Sequence, residues 1–495
     1  MSHQEIQSDV TLDRNKIKIK LSIMKNSIFI IFVISILFLG VAGQTAIASA
    51  MVLIAVFSLF LGEEAMGFRN PLFFAPFSGR FSALNEPMLL ISIVMLPLAM
   101  MYSYFTGHHS PIEILKHYSI ELVTLGALMS AYGLLATIAS GIIVEVITTM
   151  RKFFARMSGN GLIGDYITLV LISLLGAILG EVVVAKSLQM VFGEEHKISK
   201  HAEFCKSLNA LSAIGGAWFP LGTPAGFIAY SLVHAAFPEM GYMMWMSMVF
   251  IPVFVSVLVY AGLMLHHHDS LKRYQGDDGL GNEEHHSRKV QLTAIGMKIS
   301  IIVFHLVGLY SNSNMIHIIE IIAIWGGILY FCFLEKCLSS WTAFEEKKDD
   351  IPLMFFLASF SAVATMIDPN LISSLAHVGG DWNWISMNIL ATEATRFNDN
   401  AFVAVVLSEI AYKGGEFLFI MTMMSALSGS TIRLSNAHVA PSLDEFQRRT
   451  GIEVSDEELL GICNPIGAIF APKKNYMFWI MFILNVAIPA IWAWA

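Results

Sequence analysis

Charge is scarce in this sequence. Only 14% of its 495 residues are Asp, Glu, Lys or Arg, against roughly 25% in an ordinary soluble chain. The charges gather in the first 27 residues and around 193–206, 266–290 and 335–350, with long uncharged blocks between. That distribution does not fit a soluble multidomain protein. Cysteine is scarcer still. Cys205, Cys332, Cys337 and Cys463 have no metal-site spacing, and Cys332 and Cys337 read as apolar residues near a helix end. There is no basic stripe, so nucleic acid is not an expected partner. Nor is there a glycine-rich phosphate loop, so nucleotide-driven work within this chain is not expected. A membrane-embedded protease would need a Ser/His pair, an HExxH helix or two catalytic Asp motifs. No convincing set occurs, and no enzyme and no cofactor are expected.

What fills the sequence is apolar. Hydrophobic residues make up 56%, and the mean hydropathy is +0.65. A helix needs about 20 apolar residues to cross the hydrocarbon core, and runs of that length recur. The expected fold is therefore all-α and polytopic, with the lipid bilayer as a partner. Residues 28–62 are too long for one span and read as two helices broken at Gly43-Gln44. Further spans are expected near 87–106, 119–148, 163–192, 240–265, 291–310, 315–334 and 475–494. Arg14, Lys16, Lys18, Lys20 and Lys25 precede the first apolar run. By the positive-inside rule this end stays in the cytoplasm. The apolar block after it is too long for a signal peptide. A bacterial-type inner membrane is the expected location.

Two regions are apolar but broken. Gly215, Gly216, Pro220, Gly222, Pro224 and Gly226 fall within twelve positions. Residues 351–440 hold Asp368-Pro369, Gly379-Gly380, Asn398-Asp399-Asn400, Gly414-Gly415 and Ser428-Gly429-Ser430. Lipid offers no partner to freed backbone groups, so such segments survive at membrane depth only against protein or a water-filled cavity. They are the best sequence pointer to a transport site. Gly216–Pro224 and Gly429–Ala437 align weakly, and each is preceded by a polar break and a helix-like run: Gly180-Glu181 in one case, Asp399-Asn400 in the other. Two halves of matched order suggest inverted repeats with broken helices and re-entrant hairpins. The expected organisation is a cytoplasmic segment 1–27, a first half 28–265, a charged linker 266–290 and a second half 291–495.

A carboxylate inside a membrane is costly, which makes it a functional candidate by default. Asp399 lies between the amides Asn398 and Asn400 and opens an apolar run. That hard-oxygen set suits Na⁺, although Asp and Asn are also ordinary helix N-caps. Glu181 is the second candidate cation ligand, with Lys186 as an alternative structural partner. Burial of both acids would let a proton and a cation compete for the same oxygens. Thr223 and Gly222, with nearby carbonyls, are the first-half counterparts. Ser430, Thr431 and Asn436 could add ligands, or simply allow close helix packing. Arg433 could pair with Asp399, grip an anion through its planar fork, or snorkel to an interface. Glu145, close to Arg151 and Lys152, reads as an interfacial salt bridge. Glu393 is a candidate for the cavity entrance. His266-His267-His268 and His285-His286 read as a solvated loop, with metal binding or pH sensing as the alternative.

These segments resemble the ion transporter superfamily, which includes NhaD-type sodium/proton antiporters, arsenite permeases and divalent-anion/sodium symporters. The resemblance rests on Ser212-Ala213-Ile214-Gly215-Gly216, Pro220-Leu221-Gly222-Thr223-Pro224, Asn398-Asp399-Asn400 and Ser428-Gly429-Ser430-Thr431. It implies a hairpin and a broken helix in each half, a site near 180–186, 212–226, 398–404 and 428–438, and a homodimer. The chain departs from the pattern at Ala217-Trp218-Phe219, at Gly180-Glu181 and in lacking paired Ser-Asn-Thr motifs. Those departures favour cation/proton exchange, with transported Na⁺ and H⁺, over an anion or carboxylate carrier.

Overall fold

The computed structural model describes residues 34–48, 50–51, 85–107, 110–192, 201–267, 287–311, 314–330, 383–395, 439–462, 465–473 and 476–494, with scattered positions between 359 and 424. The described residues are all-helical and contain no strand. The chain divides into two compact units, Met1–Ile120 with Phe355–Leu371, and Glu121–Met354 with Ile372–Ala495.

In the smaller unit the break expected at Gly43-Gln44 is present. Gly43 takes a φ of 74°, a left-handed conformation that suits glycine. The Gln44 amide donates back to Leu39 at 2.8 Å, closing the helix before it. Helix α1, Asn85–Thr106, follows. Tyr102 on α1 lies against Gly40, where a Cβ would come within 2.4 Å of its ring.

Helix α2, Pro111–Ser158, is 48 residues long, roughly 70 Å at about 1.5 Å per residue. It extends well past the expected 119–148 at both ends. Asn160 then caps helix α3, Gly161–Leu179, by accepting from the Leu162 amide, as Asn commonly does at a helix start. The apolar stretch expected as one span over 163–192 is two helices, α3 and α4 (Glu181–Phe192), separated by Gly180. The second expected break is also found. Helix α5, His201–Gly216, is followed by a short 3₁₀ turn, Pro220–Gly222, and by helix α6, Pro224–Ala236. Helix α7, Tyr242–His267, and helix α8, Arg288–Ser311, match their expected positions closely, and helix α9, Asn314–Leu329, begins where expected, with residues 331–334 of that expected span outside the described residues.

Later helices are α10, Asn383–Ala394, α11, Val439–Thr450, α12, Asp456–Ile462, and α13, Pro465–Phe470. The last apolar run forms α14, Tyr476–Phe482, a π turn, Ile483–Ala487, and α15, Ile488–Trp494. In the larger unit α3, α4, α5 and α7 pack together, with α11 laid on α4 and α5. Among the described residues two helices, Gly161–Leu179 and Tyr242–His266, are long and apolar enough to cross a membrane.

Several helices bury polar groups and expose apolar ones. α3 buries Asp165, Thr168 and Ser173 but exposes Ile163, Leu171 and Leu175. α8 buries Gln291 and Lys298 but exposes Leu292, Ile299, Val303 and Val307. α7 exposes Met243, Phe250, Ile251 and Val259 around its buried Ser256.

Candidate functional site

The α3–α4 break begins with one glycine. Gly180 has a φ of 100°, and a Cβ there would lie 2.9 Å from the Lys298 ammonium. Its amide still donates to Gly176 at 2.8 Å, and the next bond of this ladder runs from the Val184 amide to Gly180 at 3.1 Å. Between them the ladder is interrupted, which releases the last carbonyls of α3 and the first amides of α4. Glu181 is the first residue of α4 and is buried.

The second break is fitted against the first. The Ser212 hydroxyl on α5 donates to the Glu181 backbone carbonyl at 2.9 Å. Gly215 passes so close to α3 that a Cβ would sit 2.2 Å from the Ser173 carbonyl oxygen. Gly222 stands equally tight against Ala177, with 2.8 Å from an ideal Cβ to its carbonyl oxygen. Thr223 caps α6 by accepting from the Gly226 amide at 2.8 Å. Gly216 lies between the two halves of this arrangement, with the Glu181 Cβ and the Thr223 Cγ2 at 3.5 and 3.6 Å from its ideal Cβ position. Glu181, Gly222 and Thr223, read separately from the sequence, therefore meet around Gly216.

Among the described residues no three His, Cys, Asp or Glu side chains gather at one place. What the described residues place beside Glu181 is the Ser212 hydroxyl, on its backbone carbonyl, and Gly216, against its Cβ and Cγ.

Asn400 is helical and buried. Asn398, Asp399, Ser430, Thr431, Arg433 and Asn436 lie outside the described residues, as do His268, His285 and His286.

Two expected pairings are different in the structure. Lys186 meets Glu445 on α11 at 3.8 Å and is not the partner expected for Glu181. The two positions are five apart, about 140° around the helix at about 100° per residue, so one faces the break and the other faces α11. Glu145 pairs with Arg288 at 3.7 Å, both exposed. Arg151 instead forms a buried two-point pair with Asp165 and lies 4.4 Å over the Phe192 ring.

Lys298 is a site neighbour that the sequence signals only faintly. Its ammonium donates to the Leu179 carbonyl at the break, and the residue is only 7% exposed. A single lysine inside the apolar run 291–310 was the signal.

No protein-family model and no curated protein matches the chain.

Proposed function

We propose that this chain is a polytopic secondary transporter that exchanges a small cation, Na⁺, for H⁺ by alternating access. On this reading its two halves are inverted repeats in a bacterial-type inner membrane. Support for the membrane setting comes from helices that turn apolar faces outward and polar groups inward, as on α3 and α8. Lipid is as apolar as leucine, so such a helix belongs in a bilayer and would be costly in water.

The observation that carries the transport reading is Glu181. It is a buried carboxylate, placed directly after a helix break and fitted against a second break at Gly216–Thr223. Broken helices offer unpaired backbone dipoles to an ion at the place where two halves of a transporter meet. A carboxylate there can hold either a proton or a cation but gains little from holding both, which couples the two. Asp399, flanked by Asn398 and Asn400, is the second-half counterpart, with Ser430, Thr431 and Asn436 as further oxygen donors. The anion-carrier alternative rests on Arg433.

The test is the purified chain in liposomes with an internal pH dye, given Na⁺, K⁺ or small anions outside. Na⁺-triggered proton movement that Arg433→Ala leaves intact is the expected result. Anion uptake with no cation response, lost in Arg433→Ala, would replace this reading with the anion carrier.

A further inference from the structure

Lys298 has no part in the scheme above, yet it reaches the centre of the α3–α4 break. It comes from α8, 119 residues further along the chain, and donates to the Leu179 carbonyl. Gly180 takes a φ of 100°, which favours glycine, and the ammonium lies 2.9 Å from where its Cβ would stand. Gln291, seven residues earlier on the same buried face of α8, accepts from the Ile142 amide at 2.8 Å. That bond fixes the rotation of α8 against α2. The cavity beside Lys298 has a volume of about 60 Å³ and is lined by apolar side chains, among them Leu135, Ala139, Ile143, Ile178 and Ile295.

A buried ammonium among such neighbours is expensive, and the carbonyl it meets is one that offers compensation. The C-terminal end of a half-helix does so, because its released carbonyls carry the negative end of the helix dipole. The same feature makes half-helix ends cation positions in transporters. Lysine capping of helix ends is common at exposed termini, but this lysine arrives from another helix and is buried beside an apolar cavity.

We propose that Lys298 is a resident cation that fills the ion position created at the Leu179–Gly180 break. The exchanged ion is then held at Glu181, as in the function proposed above. The proposal rests on the break being part of a cation site, and it sets how many Na⁺ the chain holds. Removing the ammonium while keeping an aliphatic stem should open a position that Na⁺ takes.

The experiment is equilibrium binding of radioactive sodium to the purified full chain in detergent. It compares wild type with Lys298→Met, Lys298→Gln and the charge-retaining Lys298→Arg. The Met and Gln variants are expected to bind one more Na⁺ per chain than wild type, and the Arg variant the same number. Equal counts in all four folded proteins would overturn the proposal and leave Lys298 as a helix cap. If the Met variant does not fold, Lys298→Gln, which keeps a polar group on the same face, decides the matter. The wild-type count is a separate result. A wild type that binds no Na⁺, beside a variant that binds one, would sink the antiporter reading and keep the role of Lys298.

Discussion

The hydroxyl of Ser212 donates to the backbone carbonyl of Glu181 at 2.9 Å, so α5 holds the first residue after the α3–α4 break. Two discontinuities far apart in their own helices thereby become one structure. The backbone of Glu181 is held by that bond, and the glycines of α5 let the helices close around it.

Ser212→Ala removes the bond without opening a large cavity. Loss of one buried hydrogen bond costs about 1 kcal/mol, so a modest fall in the melting temperature of the detergent-solubilised protein is expected. Transport should fall further in proportion, because Glu181 loses its tie to α5. A variant with full transport and unchanged melting would show that this bond does not position the site.

Gly215→Ala and Gly216→Ala should behave differently although they are neighbours. At 215 the new methyl meets the Ser173 carbonyl oxygen at 2.2 Å and its carbon at 2.5 Å. Overpacking of this kind costs about 1–3 kcal/mol, and backbone cannot move aside as a side chain can. At 216 the nearest atoms are 3.5 Å away or more, so the fold should hold. The melting temperature of the two variants checks this contrast directly.

The buried Arg151–Asp165 pair ties the end of α2 to the start of α3, with Phe192 of α4 under the guanidinium. Asp165→Asn leaves a buried guanidinium without its carboxylate, a loss expected to cost about 3–5 kcal/mol. The double change Arg151→Met with Asp165→Leu removes both charges and should recover much of that loss. Thermal unfolding of both variants beside wild type measures the difference.

Much of this was readable from residue order. The glycine and proline density over 215–226 announced broken backbone, because no continuous helix tolerates it. Gly180-Glu181 inside an apolar run announced the other break, although the run's hydropathy alone suggested one span. Pairing was less legible, since it depends on direction around a helix and on chains brought together by folding. Lys186 is close to Glu181 in sequence but faces α11, and Glu445 is 259 positions away from it. Arg151 is near Glu145, yet its partner lies across the turn on α3. Lys298 was hidden because one charge hardly changes the hydropathy of its run, and its target carbonyl is fixed only when α8 packs against α2 and α3. The second-half motif Asn398-Asp399-Asn400 and the Ser428–Asn436 segment were read from sequence alone, with only Asn400 among the described residues.

The most direct test of the central claim is the Na⁺-triggered change in internal pH of liposomes carrying Glu181→Gln, measured beside wild type and Asp399→Asn. Each substitution removes a charge and keeps the side chain's shape and hydrogen-bonding capacity. If the two carboxylates hold the exchanged ion and proton, both variants fold, insert and give no more response than protein-free liposomes. A Glu181→Gln protein that exchanges Na⁺ for H⁺ at the wild-type rate would contradict the account and move the site away from the α3–α4 break.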